Sequence, residues 1–366
     1  MKRLSRFTMC RSLTAFGGRG IVLCLAAVLF GAPRVFAAED QQQKGVALIT
    51  RAAQLQNLLA PDTGPFHLRA HVKLLGLVDG TREGDYLLMA ASQAQWFEQT
   101  RFPGYSELTG FHEGQAWRKR NVIDKPFRFH EVAQLLNLAR HLRLSASAEI
   151  KKLTQKDIRG VKAFCIEASP TRDLWQKDTA GRAAISPVGI NKDSQVTLCF
   201  DPDTGALLSA LYSNSLPRFE YEGQVTLGNK AFPKTLRCYE GNELVVEATV
   251  QELAKEEAPD PAGFAPPAGA DKWPYCETPE TPKLVEKRKM NERLLASAKA
   301  RRQYGTVICL AEIGTDGFVH DLAVVQWRGM FSLAVKEAVS VWRYTPASCN
   351  GVPVPSEIYL AYTFPP

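Results

Sequence analysis

Apolar and polar residues alternate through much of the chain between residues 40 and 254. The stretch from Phe66 to Leu74 alternates strictly, which places apolar side chains on one face of a strand and polar ones on the other. Turn residues separate similar runs, a spacing that predicts an antiparallel meander. The strands predicted in this region are 66–74, 86–91, 95–102, 105–111, 148–153, 161–168, 195–200, 207–212, 218–227, 234–239 and 244–253.

Two stretches interrupt this alternation with apolar residues at helical intervals. Residues 46–59 and 129–144 both repeat apolar positions every three or four residues, which predicts two amphipathic helices. Residues 169–194 are rich in small and polar types and predict a long loop.

The last sixty residues carry a different order of elements. A strand at 305–313, a turn containing Asp316-Gly317 and a second strand at 318–327 precede a helix that Ser332 can cap. Pro346 and Asn350-Gly351 end that helix and turn the chain. Alternating residues from Ile358 to Phe364 then predict a final, half-buried strand.

This terminal stretch resembles the C-terminal domain of the TonB family. The residues that carry the resemblance are Gly305-Thr306-Val307, Asp316-Gly317, the run from Ala338 to Tyr344, Pro346, Asn350-Gly351, Pro353 and the closing aromatic strand. The resemblance implies a small periplasmic β-β-α-β domain, here residues 283–366, that binds a segment of another protein. It implies no catalysis.

Members of that family engage a short segment of an outer-membrane transporter by adding a strand to a sheet edge, where main-chain hydrogen bonds supply affinity. The resemblance therefore implies an envelope protein as the partner, such as an outer-membrane transporter. The final strand is the candidate edge. Its candidate partner-binding residues are Ile358, Tyr359, Leu360, Tyr362 and Phe364.

Residues 40–254 resemble the LolA/LolB-like lipoprotein-carrier fold, a curved half-barrel with helices against its concave side. The resemblance rests on the 66–72 strand, Trp96-Phe97, Pro103-Gly104-Tyr105, Phe200-Asp201 with Thr204-Gly205, and Phe232-Pro233. In that family the concavity holds acyl chains, which implies a lipid or acyl chain as a ligand. The alternative is that aromatic residues fill the interior as core, which we favour for Trp96, Phe97, Phe102, Tyr105 and Trp117. The expected fold class of the whole chain is α+β.

A proline-rich stretch separates the two regions. Residues 255–283 contain seven prolines, a composition typical of a semi-rigid linker. We place the linker at 255–282, where it spans at most ~90 Å when extended. The basic run 283–302 that follows predicts a solvated helix face, with attraction to anionic headgroups as the alternative.

The charge and hydropathy of the N-terminal residues differ from those of the rest of the chain. The formal net charge is +7, but residues 1–37 carry six basic residues and no acidic one, so the remainder is close to neutral and a nucleic-acid partner is not expected. A basic start, the apolar run 21–32 and Val35-Phe36-Ala37 predict a signal peptide over residues 1–37. Cleavage predicts a periplasmic protein; an uncleaved segment would anchor it in the inner membrane.

Six cysteines follow residue 37, and an even number in an exported protein favours disulfides. Fifteen pairings are open to six cysteines. We expect Cys165 to pair with Cys199 and Cys276 with Cys349. The rival for the second pair is Cys309 with Cys349.

Two stretches of the sequence partly match motifs of metal or catalytic sites, but neither match is complete. His67 and His71 are four residues apart on a predicted strand, about 13 Å, which is too far for one ion. His130-Glu131 begins like a zinc-protease motif but lacks the second histidine. We therefore expect no catalytic, metal or cofactor site. The function expected is a non-enzymatic periplasmic TonB-family protein in envelope transport, with a lipid or lipoprotein carrier as the alternative.

Overall fold

The computed structural model describes residues 32–142, 149–169, 196–212, 217–276, 279–287, 296, 305–326 and 330–364. Most of the predicted signal peptide, the predicted 169–194 loop beyond residue 169 and most of the basic run 283–302 lie outside these ranges. The chain divides after Asp40, and the described residues from Gln41 onwards belong to one compact unit. Helix α1 (Ala32–Gln56) begins well before the predicted start at residue 46.

The first part of the chain is mostly β-structure, with the strands in one large antiparallel sheet. In chain order its strands and the small hairpin β11–β12 are β1 (Phe66–Leu77), β2 (Gly80–Ser92), β3 (Gln95–Phe102), β4 (Tyr105–His112), β5 (Gln115–Arg120), β6 (Glu149–Ile158), β7 (Val161–Ser169), β8 (Val196–Phe200), β9 (Leu207–Tyr212), β10 (Pro217–Glu222), β11 (Val225–Leu227), β12 (Lys230–Phe232), β13 (Thr235–Glu240), β14 (Glu243–Lys255) and β15 (Asp271–Pro274).

The 13-stranded sheet is open. Its order is β15-β5-β4-β3-β2-β1-β14-β13-β10-β9-β8-β7-β6, so neighbours in sequence are mostly neighbours in space. Most consecutive strands are joined by short turns, as the predicted meander requires. The predicted strand 218–227 is divided into β10 and β11, because Gly223 adopts a positive φ between them.

Helices cover one face of this sheet, which we call the inner face. They are α1, α2 (Phe129–Leu136) and α3 (Leu138–Leu142), and they share a core with the apolar side chains of β1, β2, β13 and β14. Trp96, Phe102 and Tyr105 are buried in this core, so these aromatic residues fill the interior of the protein. Phe97 lies on the outer face.

The proline-rich stretch is packed along the large sheet. A 3-10 helix (Pro261–Phe264) places Phe264, which is 1% exposed, against Phe97 on the outer face, with ring centroids 5.8 Å apart. Lys119 Nζ donates to the carbonyl of Ala268, and β15 then pairs with β5. Residues predicted as a linker therefore supply an edge strand of the sheet.

The described residues of the last part of the chain form smaller sheets and a helix that packs against one of them. Its elements are β16 (Lys283–Glu286), β17 (Gly305–Ile313), β18 (Val319–Gln326), α4 (Met330–Ser340), β19 (Arg343–Thr345), β20 (Ala347–Cys349), β21 (Val352–Val354) and β22 (Ser356–Phe364). The three-stranded sheet, which we call the terminal sheet, has the order β18-β17-β22. Val335, Val339 and Trp342 form a core with Val307 and Cys309 on one face of it.

Both expected disulfides are present. Cys165 and Cys199 face each other in register on β7 and β8, and Cys276 joins the end of the proline-rich stretch to Cys349 in β20. The rival pairing of Cys309 with Cys349 is therefore wrong. Cys309 is a buried thiol, and burial raises its pKa to about 12.

Candidate functional site

The inner face of the large sheet changes character towards β5. Residues directly opposite each other in an antiparallel sheet point to the same face. One cross-strand row runs Leu68, Leu88, Glu98, Thr109 and Arg118, and the next runs Ala70, Tyr86, Thr100, Glu107 and Arg120. The face that is apolar at β1 is thus polar and charged at β4 and β5.

The terminal sheet lies against this charged strip. Arg118 donates to both carboxylate oxygens of Glu312 in β17, at 2.5 and 2.7 Å. Arg120 likewise donates to both oxygens of Asp321 in β18, at 2.8 and 3.0 Å. We call Arg118, Arg120, Glu312 and Asp321 the arginine clamp. Because bidentate arginine–carboxylate contacts are directional, the clamp fixes the position and orientation of the terminal sheet against the large sheet.

Neighbouring groups support the clamp. Glu107 accepts from Arg120 Nε at 3.1 Å and from the hydroxyl of Tyr105 at 2.6 Å, and Lys125 Nζ lies 3.7 Å from Glu107. Arg120 therefore bridges two buried carboxylates. The side chains of Arg120 and Asp321 are only 6% and 1% exposed, so water screens this network little.

The clamp perturbs the acid–base behaviour of its members. Burial by itself would raise the pKa of Asp321, but the charges of Lys125 and Arg120 outweigh it and hold that pKa well below its usual range. The pKa of Glu107 is lowered by the same balance between burial and the two cations. Both carboxylates are consequently ionised across the physiological pH range.

The main chain at Asp321 is also held by the first part of the chain. Its N–H donates to Asp124 Oδ1 at 3.1 Å, and its carbonyl oxygen lies 2.5 Å from His130 Nε2. The φ angle of Asp321 is 50°, and the register of β17 with β18 shifts beside it. Asp321 is therefore a bulge whose polar groups turn outwards to Asp124 and His130.

β22 is the edge strand on the side of the terminal sheet opposite β18. One side of β22 pairs with β17 along its whole length, from Gly305 opposite Phe364 to Ile313 opposite Ser356. The other side of β22 pairs with no strand among the described residues.

The predicted partner-binding residues all lie in β22. The side chains of Ile358 and Leu360 are buried in the core with α4. The structure describes only the backbone of Tyr359, Tyr362 and Phe364. Partner binding by these residues therefore stays a prediction.

A separate cleft of about 820 Å³ lies beside α1. Lys230 Nζ closes part of its wall by contacting Asp62 Oδ1 at 2.7 Å and the carbonyl of Gln54 at 2.9 Å. The cleft mixes polar and apolar walls. Its lining residues are Ile49, Thr50, Arg51, Ala53, Gln54, Leu55, Asn57, Ala60, Asp62, Leu142, Thr204, Asn229 and Lys230.

The two histidines of β1 are paired with acids and do not meet. His67 Nδ1 lies 2.5 Å from Glu256 Oε1, and His71 Nε2 lies 3.0 Å from Glu83 Oε2. The part of the chain that the structure describes holds no group of three residues suited to a metal ion. Among the helices it describes, none is both long and apolar enough to cross a bilayer.

Sequence reasoning missed the arginine clamp. One signal was present: Arg118 and Arg120 alternate with Trp117 and Lys119, so both arginines lie on the face that carries Ala116. Two arginines on an otherwise inward face indicate a charged partner. The sequence does not show that this partner lies about two hundred residues away.

One comparison with known proteins matches the last part of the chain to a protein family. The sequence model of the Gram-negative bacterial TonB protein C-terminal family matches residues 296–366, about a fifth of the chain. No curated protein matches the chain significantly.

Several of the solved structures similar to the chain cover about 60% of it. They include an outer membrane lipoprotein-sorting protein domain from Vibrio parahaemolyticus, at 14% identity, covering 61% of this chain and 97% of that one, with a TM-score of 0.39. A LolA superfamily protein from Nitrosomonas europaea shows 8% identity, 60% and 96% coverage and a TM-score of 0.39. A DUF1329 family protein from Desulfovibrio piger shows 13% identity, 62% and 97% coverage and a TM-score of 0.40. With TM-scores below 0.5, these likenesses are loose.

Proposed function

We propose that this chain is a non-enzymatic periplasmic protein whose terminal sheet binds an extended segment of another envelope protein by strand addition at β22. The observation that carries the proposal is the position of β22 at the end of the terminal sheet, within the residues matched by the TonB C-terminal family. The unpaired edge of a strand presents N–H and C=O groups that a partner strand can complete.

In this proposal the parts of the chain have separate roles. Residues 1–37 direct export, and residues 40–254 form a LolA/LolB-like domain that carries the binding module. Residues 255–282 connect the two, and residues 283–366 form the β-β-α-β module itself. An outer-membrane transporter segment is one partner of the expected kind. Because the proline-rich stretch packs against the large sheet and pairs with β5, instead of extending as a spacer, we propose binding in envelope transport and not force transmission.

Site-specific photo-crosslinking in a Gram-negative host tests the proposal. A photoreactive phenylalanine analogue replaces Tyr362 in β22, and a matched protein carries it at Val324 in β18. We expect crosslinks to an envelope protein from the β22 position, and mass spectrometry should locate them in one extended segment. A β22 position that crosslinks to nothing above the Val324 background overturns strand addition.

A second candidate function is a periplasmic lipid or lipoprotein carrier. The observation in its favour is the cleft beside α1, whose volume of about 820 Å³ lies within the range of small-molecule sites. Native mass spectrometry of protein purified from the periplasm tests it directly. A co-purifying lipid that is lost from a Leu55→Trp variant, which narrows the cleft, supports the carrier, and lipid-free protein contradicts it.

A further inference from the structure

The two ends of the terminal sheet are not equivalent. A three-stranded sheet has two edge strands, and either can accept a further strand unless it is covered, charged or distorted. β22 and β18 are those edges here. Strand addition at β22 alone therefore requires something that closes β18.

The start of β18 is closed within the terminal part of the chain. Phe318 forms an isolated antiparallel bridge with Arg343, the first residue of β19. The N–H of Tyr344 donates to the carbonyl of Gly317 at 2.9 Å. An incoming strand would have to displace both contacts.

A second position near the start of β18, Asp321, is closed by the segment that joins β5 to α2 and by the first turn of α2. Asp124 accepts from the N–H of Asp321, and His130 contacts its carbonyl oxygen, so both main-chain groups that a new strand would use at this position are occupied. His130 is 7% exposed. Arg120 holds the carboxylate of Asp321 in the same place. A bulge at this residue also breaks the flat ladder that strand addition needs.

We infer that the segment Asn121–His130 of the first domain is an edge cap for β18, which leaves β22 as the one strand-accepting edge and limits the molecule to one partner segment. This rests on the proposed function, because it assumes that a partner adds as a strand. The first part of the chain then contributes to specificity, because it determines which edge of the terminal sheet a partner strand can join.

Hydrogen exchange measures the cap without any partner. In the unaltered protein we expect the amide of Asp321 to exchange slowly. Asp124→Ala removes its acceptor and should speed that exchange about tenfold, whereas Asp124→Asn keeps an acceptor oxygen and should change it little. Fast exchange of Asp321 in the unaltered protein overturns the inference.

Photo-crosslinking then separates this inference from the proposal beneath it. With the photoreactive residue at Val324, we expect no crosslink in the unaltered protein and new crosslinks in the Asp124→Ala, His130→Ala double variant. Asp124→Ala alone serves if the double variant does not fold. Crosslinks from Val324 without any substitution overturn the cap and leave strand addition intact. The absence of crosslinks from β22 overturns strand addition itself, while the exchange result still decides whether the cap exists.

Discussion

Arg120 lies near an edge of the large sheet, yet its side chain is buried between two carboxylates. It bridges Glu107 and Asp321, two carboxylates from parts of the chain about two hundred residues apart. Taking one member from a buried ion pair leaves an uncompensated charge out of reach of water, which costs far more than losing an exposed pair.

Arg120→Ala should therefore lower the free energy of unfolding by about 3–5 kcal/mol. Arg82→Ala is the control, because Arg82 and Asp79 form an ion pair with both side chains exposed to solvent, and this variant should lose far less stability than Arg120→Ala. Urea unfolding of both variants measures the difference. Equal losses would show that the clamp is no more stabilising than a surface pair.

Asp321 should also make stability depend on pH. Its pKa is lower in the folded protein than in the unfolded chain, so its contribution is fully present above the unfolded carboxyl pKa of about 3.9 and is lost as the pH falls through the folded pKa. Unfolding free energies measured from pH 7 down to pH 3 should fall more steeply for the unaltered protein than for Asp321→Asn. Matching slopes would contradict this assignment.

Among the elements, the proline-rich stretch differs most from its sequence-based interpretation. Seven prolines predict a linker, yet Phe264 is fully buried against the outer face and Asp271–Pro274 forms β15. Proline is compatible with an edge strand, because the free side of such a strand needs no N–H donor. The proline content predicts that this segment is stiff, but it does not predict that Phe264 packs against Phe97 and holds the segment on the sheet.

Phe264→Ala should cost about 3–5 kcal/mol, as for other buried aromatic side chains. Phe127→Ala, at a residue that is 59% exposed, should change the free energy of unfolding by less than about 1 kcal/mol. Chemical denaturation of the two variants compares them. A free linker would tolerate both substitutions equally.

For the whole molecule, the disulfide between Cys276 and Cys349 is one of several links between the large sheet and the terminal part of the chain. Replacing both cysteines by serine should lower the free energy of unfolding by about 2–4 kcal/mol, mainly because the unfolded chain gains freedom. The arginine clamp and the pairing of β15 with β5 remain in that variant, so the terminal sheet should stay docked.

Denaturation together with small-angle scattering measures both effects. The matched control replaces Cys165 and Cys199, which are joined within the large sheet. We expect both variants to lose stability and neither to expand. A larger radius of gyration in the Cys276→Ser, Cys349→Ser variant would show that the disulfide, and not the clamp, holds the terminal sheet in place.

The local features of this protein could be predicted from its sequence. Period-two alternation located most strands, helical spacing located α2 and α4, and turn residues separated them, because these signals depend on neighbours within a few residues. The expected pairing of Cys165 with Cys199 is confirmed, but Cys238 also lies in a predicted strand of the same domain, so the sequence alone left the choice of partner open. The start of α1 was missed, since its first residues lack an amphipathic pattern.

The partners of the charged residues could not be predicted from the sequence and are seen only in the folded structure. Arg118 with Glu312, and Arg120 with Asp321, join residues about two hundred positions apart, and no local period records a contact at that separation. The same applies to β18 and β22. Sequence pattern predicted two strands, but the contacts of Asp124 and His130 with Asp321 distinguish the closed edge from the open one. The physical reason is that a strand's own residues set which faces it buries, whereas its neighbours in space set which edge remains free.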